Sequence, residues 1–211
     1  MLNIILADIE AGLVEGWKQA CADLPNVSVH HGSIFDVECD AVVSPANSFG
    51  FMDGGIDAQY SYFFGWHVQE RLQDIIMKAY YGELLVGQAV MVPTDHMKIP
   101  YVISAPTMRV PMILGRESVN AYLATRAALL LIQHGTLPNG TPLHDVIKTV
   151  AFPGMGTGVG RIPYAVCAQQ MRQAIEDVLI QKPLFPNTWK MAQTRHQALY
   201  SDSTRDLQFP E

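Results

Sequence analysis

Two glycine-bearing loops, each placed between an apolar run and an amphipathic run, most constrain the fold of this chain. The first apolar run, DAVVSPAN at residues 40–47, is followed by SFGFMDGGID at 48–57. The second segment, residues 150–160, reads VAFPGMGTGVG and leads into another amphipathic run. This order is typical of a buried strand, a loop where backbone approaches a ligand, and the start of a helix. The sequence therefore predicts two strand–loop–helix units whose loops carry the function.

Strand and helix patterns alternate along the chain. Strands are predicted at residues 2–7, 27–30, 41–46, 87–92, 101–105 and 146–152. Helices are predicted at 10–24, at 56–81 with a break near Gly65, at 118–134 and after Pro163. This alternation favours an α/β fold with helices on both faces of a sheet. We expect a ligand-binding domain at 1–182 and a C-terminal appendage at 183–211, with a short helix near 187–199.

Composition narrows the class of protein and of partner. Hydrophobic residues make up 49% of the chain and charged residues 16%, which is enough apolar material for a large core. The formal net charge of −6 argues against general nucleic-acid binding, which needs a basic surface. A phosphorylated ligand stays open, because backbone N–H groups bind anions without a basic patch.

Cysteine usage and the apolar runs bear on the compartment. Cys21, Cys39 and Cys167 are widely spaced and form no CxxC pair, so we interpret them as small buried residues in a reducing compartment. The N-terminal apolar run is short and lacks a basic flank, and no run approaches the length of a membrane span. The sequence predicts a cytoplasmic protein that does not enter a membrane.

The two loops suit a diphosphate. Loops that follow parallel strands lie at one edge of a sheet, where ligands settle. Glycine lets backbone N–H groups face an anion closely, and a helix start adds partial positive charge. Neither GxGxxG opening the first helix nor GxxxxGK[ST] is present, so the dinucleotide fingerprint and the nucleotide triphosphatase loop are not the explanation.

Taken together, these segments resemble the macrodomains, a family that binds ADP-ribose and related metabolites. The resemblance rests on Gly32-Ser33-Ile34, on residues 40–47 and 54–57, and on Phe152-Pro153 through Val159 with Pro163. Their order and spacing fit over about 1–182. The resemblance implies a three-layer α/β/α fold around a mixed sheet, with the ligand in a cleft across the strand ends.

The resemblance also implies roles for particular residues. Asn47 is similar to the side chain that hydrogen-bonds the distal ribose, and Asp57 to an acidic residue that helps to activate water in hydrolytic members, so these two are the implied catalytic residues. Asp57 has a second interpretation as a helix-capping carboxylate. The implied ligand-binding residues are Ser33, Ile34, Asn47, Gly54, Gly55, Ile56, Phe152, Gly156, Thr157, Gly158, Val159 and Gly160.

Four positions depart from the family pattern. Ser33 stands where many members have an aspartate that accepts a hydrogen bond from adenine, and Asp53 replaces a loop glycine. Gly160 stands where an aromatic residue often packs on the distal ribose, and Gly156 where serine is usual. These departures weaken the case for standard ADP-ribosyl hydrolysis and leave room for a larger or altered group on that ribose.

Histidines, arginines and aromatic residues outside these motifs have competing interpretations. The seven histidines show no ligand spacing, so no metal is predicted. Phe49 and Phe51 are candidates to line the cleft, and Arg109 and Arg161 either reach a phosphate or stay in solvent. An aromatic cluster is either a base-stacking wall or helix core; it consists of Tyr60, Tyr62, Phe63, Phe64 and Trp66.

The leading hypothesis is binding of ADP-ribose or a related nucleotide, with no cofactor. One alternative is an ADP-ribosyl hydrolase that acts on an ADP-ribosylated macromolecule, on O-acetyl-ADP-ribose or on ADP-ribose 1″-phosphate. Another is a sensor or scavenger of a signalling nucleotide that does not turn it over.

Overall fold

The computed structural model describes residues 2–182 and 184–206. Strands and helices alternate as the hydrophobic pattern predicts. In chain order the elements are β1 (Asn3–Asp8), α1 (Ala11–Cys21), β2 (Val27–His31), β3 (Ala41–Ser44), α2 (Gly55–Phe64), α3 (His67–Tyr80), β4 (Val90–Pro93), β5 (Tyr101–Ser104), α4 (Asn120–His134), α5 (Leu143–Val146), β6 (Thr149–Phe152), α6 (Tyr164–Ile175) and α7 (Trp189–Gln197). A 3₁₀ turn, Ile34–Asp36, follows β2, and a π-helical turn, Glu176–Ile180, extends α6.

The described strands form one six-stranded mixed sheet in the order β2-β1-β6-β3-β5-β4. The first five of these are parallel, and β4 pairs antiparallel with β5 at the edge. The carboxyl ends of the five parallel strands therefore point to the same side. Asp40 fixes the start of β3 beside β6, because its Oδ2 accepts hydrogen bonds from the backbone N–H groups of Lys148 and Thr149, each at 2.8 Å.

Alternate residues of each strand enter two separate apolar layers. Ala41 and Val43 of β3 pack with α1, α4 and α6 on one face, where Trp17 is completely buried. Val42 of the same strand packs with α2 and α3 on the other face, around Leu72. Period-2 alternation across the sheet thus produces the three-layer α/β/α arrangement. The predicted fold class is confirmed.

The predicted strand at 146–152 is longer than the strand that forms. Leu143–Val146 is one turn of helix, and β6 begins only at Thr149. The N–H of Ile147 bonds to the carbonyl of Leu143 at 2.8 Å, which closes that turn before the chain becomes extended. The apolar residues of the turn continue the apolar run of the strand, so periodicity alone does not separate the two.

The C-terminal segment contacts the π-helical turn at the end of α6. Arg195 of α7 lies 3.5 Å from the Asp177 carboxylate and donates to the Leu184 carbonyl at 2.7 Å. Leu199 is buried at 6% exposure. The helix lies within the predicted range 187–199, and the division of the chain at 182 stays a prediction. Residue 183 and residues 207–211 of the predicted appendage lie outside the described residues. No helix within the described residues has the length and apolar character needed to cross a membrane.

Candidate functional site

A cleft of about 690 Å³ opens at the carboxyl ends of the parallel strands. Each of these strands contributes the loop that follows it, so residues far apart in sequence meet there. The lining runs from Ser33, after β2, through Asp8 and Gly154 at the centre, to Asn47 and Met108, after β3 and β5. The position is the one that open parallel sheets favour for ligands.

The side chain of Asn47 holds the first glycine loop in shape. Its Oδ1 accepts hydrogen bonds from the N–H groups of Phe49 at 3.1 Å and Phe51 at 3.3 Å. Its Nδ2 donates to the carbonyl of Phe51 at 2.7 Å. An amide nitrogen carries two hydrogens, so one remains for a ligand. Asn47 therefore has a structural role in the loop besides any contact with a ligand.

The first loop ends at the N-terminus of α2, which faces the cleft. Gly54 is the N-cap, and no side chain caps the helix. Gly55 has a φ of 57°, which glycine adopts without strain. Gly54, Gly55 and Ile56 all line the cleft. The first N–H groups of a helix have no partner within it, so this end presents donors and partial positive charge to an anion.

Asp57 lies in the first turn of α2 at the floor of the cleft. Its carboxylate does not cap the helix; instead Oδ1 accepts a 2.5 Å hydrogen bond from the Oγ of Ser44, the last residue of β3. Asp57 is 7% exposed, and this burial raises the pKa of its carboxyl group from 3.8 to about 7. The Ser44 hydroxyl lowers that pKa, and the negative charge of Asp53 raises it. The group is thus able to exchange a proton near neutral pH.

The second loop is closed by backbone bonds and touches a neighbouring loop. The N–H of Ile162 donates to the Gly156 carbonyl at 3.1 Å, and the N–H of Leu114 donates to the Gly160 carbonyl at 2.9 Å. Gly156 has a φ of 75°. The cleft is lined by Gly156, Thr157, Gly158, Val159 and Gly160. Helix α6 begins only at Tyr164, so this loop offers backbone groups rather than a helix start.

At the β2 end the cleft is lined by Ser33, Ile34 and Phe35. The Oγ of Ser33 accepts the N–H of Phe35 at 3.2 Å and caps the 3₁₀ turn, which leaves the hydroxyl hydrogen for another partner. The ring of Phe35 stacks on Phe63 with centroids 4.2 Å apart. A flat apolar surface beside a hydroxyl suits a heterocyclic base.

Asp8 links the two halves of the site and was not predicted. Its Oδ2 accepts the N–H of Gly154 and its Oδ1 the N–H of Glu10, both at 3.0 Å. A side chain on Gly154 would stand 2.4 Å from Thr157 Oγ1 and 3.1 Å from Asp8. The sequence signal for Asp8 is its position directly after the first predicted strand.

The charged residues among those that line the cleft are all acidic: Asp8, Glu10, Asp53 and Asp57. Arg109 is outside the lining and is held by Glu83, with Nε and Nη2 bonds of 2.6 Å and 3.2 Å. Its guanidinium also lies 5.2 Å from the ring centroid of Phe49. The ion pair lowers the pKa of Glu83 and raises that of Arg109. Any phosphate in the cleft would thus meet backbone donors rather than cations.

Several expected positions lie elsewhere. Phe152 is completely buried in the core beneath α1, α4 and α6, and it does not line the cleft, because the last residue of β6 points into that layer. Phe49 packs under Arg109, whereas Phe51 does line the cleft. Arg161 is outside the lining. The aromatic cluster divides: Tyr60 and Phe64 are core, the other three are exposed, and none lines the cleft. Among the residues that the structure describes, no group of three or more His, Cys, Asp or Glu is arranged to hold a metal ion.

Comparison with known sequences gives consistent matches. The family model of the Macro domain matches residues 43–171. An uncharacterized protein of Aquifex aeolicus is 36% identical over 150 residues, which cover 71% of this chain and 81% of the relative. A macro domain-containing protein of Caldanaerobacter subterraneus is 27% identical over 176 residues, covering 83% of this chain and 94% of the relative.

Several solved structures that share this fold are macrodomains. A macrodomain mutant of Oceanobacillus iheyensis with ADPR has a TM-score of 0.59 at 18% identity, covering 80% of this chain and 86% of that one. The macrodomain of Mycobacterium tuberculosis DarG has a TM-score of 0.54 at 20% identity, covering 69% of this chain and 87% of that one. At these identities the likeness concerns the fold.

Proposed function

The chain belongs to the macrodomain family, and from this premise we propose that its cleft binds ADP-ribose or a closely related nucleotide. The family is known for binding ADP-ribose. The observation that carries the proposal for this chain is the pair of glycine loops that line one cleft, one of them ending at the uncapped N-terminus of α2. Backbone donors from both loops would hold the diphosphate.

The remaining lining supports a position for the base and for the distal ribose in this proposal. The base lies at the β2 end, against Ile34 and Phe35, where the Ser33 hydroxyl is its polar contact. The distal ribose lies at the other end, where the second amide hydrogen of Asn47 donates to a ribose hydroxyl. This orientation places the diphosphate between the loops that contain Gly54 and Gly158.

Isothermal titration calorimetry with ADP-ribose tests the proposal directly. ADP lacks the distal ribose and ribose 5-phosphate lacks the base, so we expect both to bind more weakly than ADP-ribose. The absence of heat and of a thermal shift at millimolar ADP-ribose would refute the proposal. Equal affinities for ADP and ADP-ribose would refute the role of Asn47.

The state of Asp57 favours a second proposed function, hydrolysis of a bond at the distal ribose. A buried carboxyl group with a pKa of about 7 can take a proton from water at neutral pH. Its Oδ1 is occupied by Ser44, and among the described residues Oδ2 has no hydrogen-bond donor. The substrate would be an ADP-ribosylated macromolecule or an ester of ADP-ribose.

Turnover is tested with an ADP-ribosylated protein, followed by mass spectrometry of the released nucleotide. We expect the Asp57→Asn variant to bind ADP-ribose and to lose turnover, because an amide has the same shape but does not accept a proton. Intact substrate after long incubation with the wild-type chain would show a non-catalytic sensor or scavenger instead. Equal turnover by both chains would exclude Asp57 as the base.

A further inference from the structure

One face of α2 runs along the cleft towards the β2 end. Ile56 and Gln59 both line the cleft and are three residues apart, so they are neighbours on this face. Phe63 follows Gln59 by four residues on the same face, and its ring stacks on Phe35 with centroids 4.2 Å apart. Phe35 belongs to the lining at the β2 end. Gln59 therefore lies between the start of α2, where the proposed function puts the diphosphate, and the aromatic contact beside the base.

The side-chain amide of Gln59 is available to a ligand. The residue is exposed, and within the described part of the chain its side chain makes no hydrogen bond. The two carboxylates that follow β1, the strand beside β2, are occupied: Asp8 accepts the N–H of Gly154, and Glu10 accepts the hydroxyl of Tyr164 at 3.3 Å. An amide has an acceptor oxygen and a nitrogen with two hydrogens. Gln59 thus brings a donor and an acceptor into the cleft that the protein itself does not use.

We propose that Gln59 selects adenine as the base of the ligand, by pairing its side-chain amide with the edge of the ring that carries N6 and N7. This role rests on the proposed function, because it names the residue that reads the base of the nucleotide in this cleft. Gln59 lies two residues after Asp57, outside both glycine loops, and belongs to no sequence motif that points to a base. Its position became visible only when α2 was placed along the cleft.

Adenine and a 6-oxopurine differ at the atoms that this amide would meet. Along one edge of adenine N6 donates and N7 accepts, which matches the Oε1 and Nε2 atoms of Gln59 in two parallel hydrogen bonds. Hypoxanthine has O6 and N7 on the same edge, and both of these atoms accept hydrogen bonds. One of them would face the amide oxygen, whichever way the amide is turned. The amide of Gln59 therefore favours adenine.

The hydroxyl group of Ser33 does not make this distinction. Its Oγ accepts the N–H of Phe35, which leaves one hydrogen and one lone pair for a ligand. Because a hydroxyl group rotates freely, it can accept a hydrogen bond from N6 of adenine or donate one to O6 of hypoxanthine. The choice between these two bases therefore depends on Gln59.

Titration calorimetry with three ligands tests this role. The ligands are ADP-ribose, inosine diphosphate ribose, which carries hypoxanthine, and 7-deaza-ADP-ribose, in which a C–H group replaces the N7 acceptor. We expect both analogues to bind at least about fivefold more weakly than ADP-ribose, because each of them breaks the paired hydrogen bonds with the amide.

The Gln59→Ala variant locates the effect. Alanine suits the interior of a helix, so we expect the variant to fold. It should bind the three ligands with nearly equal affinity, since the group that distinguishes their bases is gone. The control is Gln169→Ala, because Gln169 is also an exposed glutamine of a helix, α6, and lies outside the cleft lining. This control should keep the preference of the wild-type chain for ADP-ribose.

The results that would overturn this role differ in what they leave. If ADP-ribose binds but the wild-type chain does not prefer it to the two analogues, Gln59 does not select the base and the proposed function stands. The same holds if Gln59→Ala keeps the preference of the wild-type chain. If none of the three ligands binds, the role of Gln59 and the proposed function both fail.

Discussion

Asn47 and Asp57 occupy one cleft, and each is constrained by bonds to its neighbours. Asn47 makes three hydrogen bonds to the backbone of Phe49 and Phe51, so substitution there changes the loop as well as any ligand contact. The pKa of the Asp57 carboxyl group is raised by burial and lowered by the hydrogen bond from Ser44. Predictions for both residues must separate stability from binding.

Two substitutions of Asn47 separate its roles. Asn47→Ala removes three bonds and should lower the free energy of unfolding by about 1–2 kcal/mol. Asn47→Asp keeps oxygen acceptors for the two N–H groups and should cost less stability. Both should weaken ADP-ribose binding at least about tenfold, because both lack the donor. Urea denaturation and calorimetry measure the two quantities, and wild-type affinity in Asn47→Asp would contradict the ligand contact.

The raised pKa of Asp57 predicts that the free energy of unfolding decreases as pH rises. Its folded pKa of about 7 exceeds the ordinary 3.8, so between these values the folded chain binds a proton that the unfolded chain has released. The contribution of this bound proton to the free energy of unfolding is fully present below pH 3.8 and is lost as pH rises towards 7. Its limiting slope is about 1.4 kcal/mol per pH unit.

Urea unfolding of the wild-type chain and of Asp57→Asn across this pH range measures the effect. The asparagine can still accept the Ser44 hydrogen bond and does not titrate. We expect the difference in free energy of unfolding between the two chains to shift with pH in this window and to level off above it. A difference that is independent of pH would show that the carboxyl group titrates as in water.

At the scale of elements, the glycines of the two loops differ in whether the fold requires the absence of a side chain. A methyl group on Gly54 or Gly158 would meet nothing within 4 Å, so the fold does not require glycine there. At Gly156, φ is 75° and a Cβ would stand 2.9 Å from Ile162 Cδ1. Gly156 is thus needed for the loop, while the other two positions are open towards the cleft.

Alanine at these positions tests whether the loops hold a diphosphate. Gly54→Ala and Gly158→Ala should change stability by less than about 0.5 kcal/mol and weaken ADP-ribose binding. Gly156→Ala should cost roughly 1–3 kcal/mol through strain and contact. Thermal unfolding and calorimetry are the measurements. Undiminished affinity in both Gly54→Ala and Gly158→Ala would mean that the backbone does not approach the phosphates.

For the whole molecule, the electrostatic field opposes an anionic ligand. The formal net charge is −6, and the charged residues lining the cleft are acidic. Binding must therefore come from local dipoles at close range, which act within the cleft and are screened less than surface charges.

This balance predicts an unusual salt dependence. Raising the salt from 0.1 to 1 M shortens the Debye length from about 10 to about 3 Å and screens the repulsion between protein and ligand. We expect the ADP-ribose affinity to stay constant or to increase across this range in calorimetric titrations. A steep loss of affinity with salt would indicate that cations hold the phosphates.

The sequence by itself determined the class of fold and the position of the loops. The apolar run at residues 41–44 and the glycines at 54–55 act through local backbone preferences, so they can be recognised without the fold. The strand start at residue 41 and the helix start near Ile56 were predicted to within one residue. The helical turn at 143–146 was missed, because its apolar residues continue the pattern of the strand.

Only the tertiary structure decided the chemistry of the cleft. The hydrogen bond between Asp8 and Gly154 joins residues 146 positions apart. The ion pair that holds Arg109 outside the cleft lining joins it to Glu83, 26 residues away. Neither contact has a local sequence signature. The same holds for the burial that raises the pKa of Asp57 to about 7 and for the Ser44 hydrogen bond that partly opposes this rise. Burial and long-range contacts determine the pKa values in the cleft and which hydrogen-bond donors stay available to a ligand. These two causes exist only once the chain has packed.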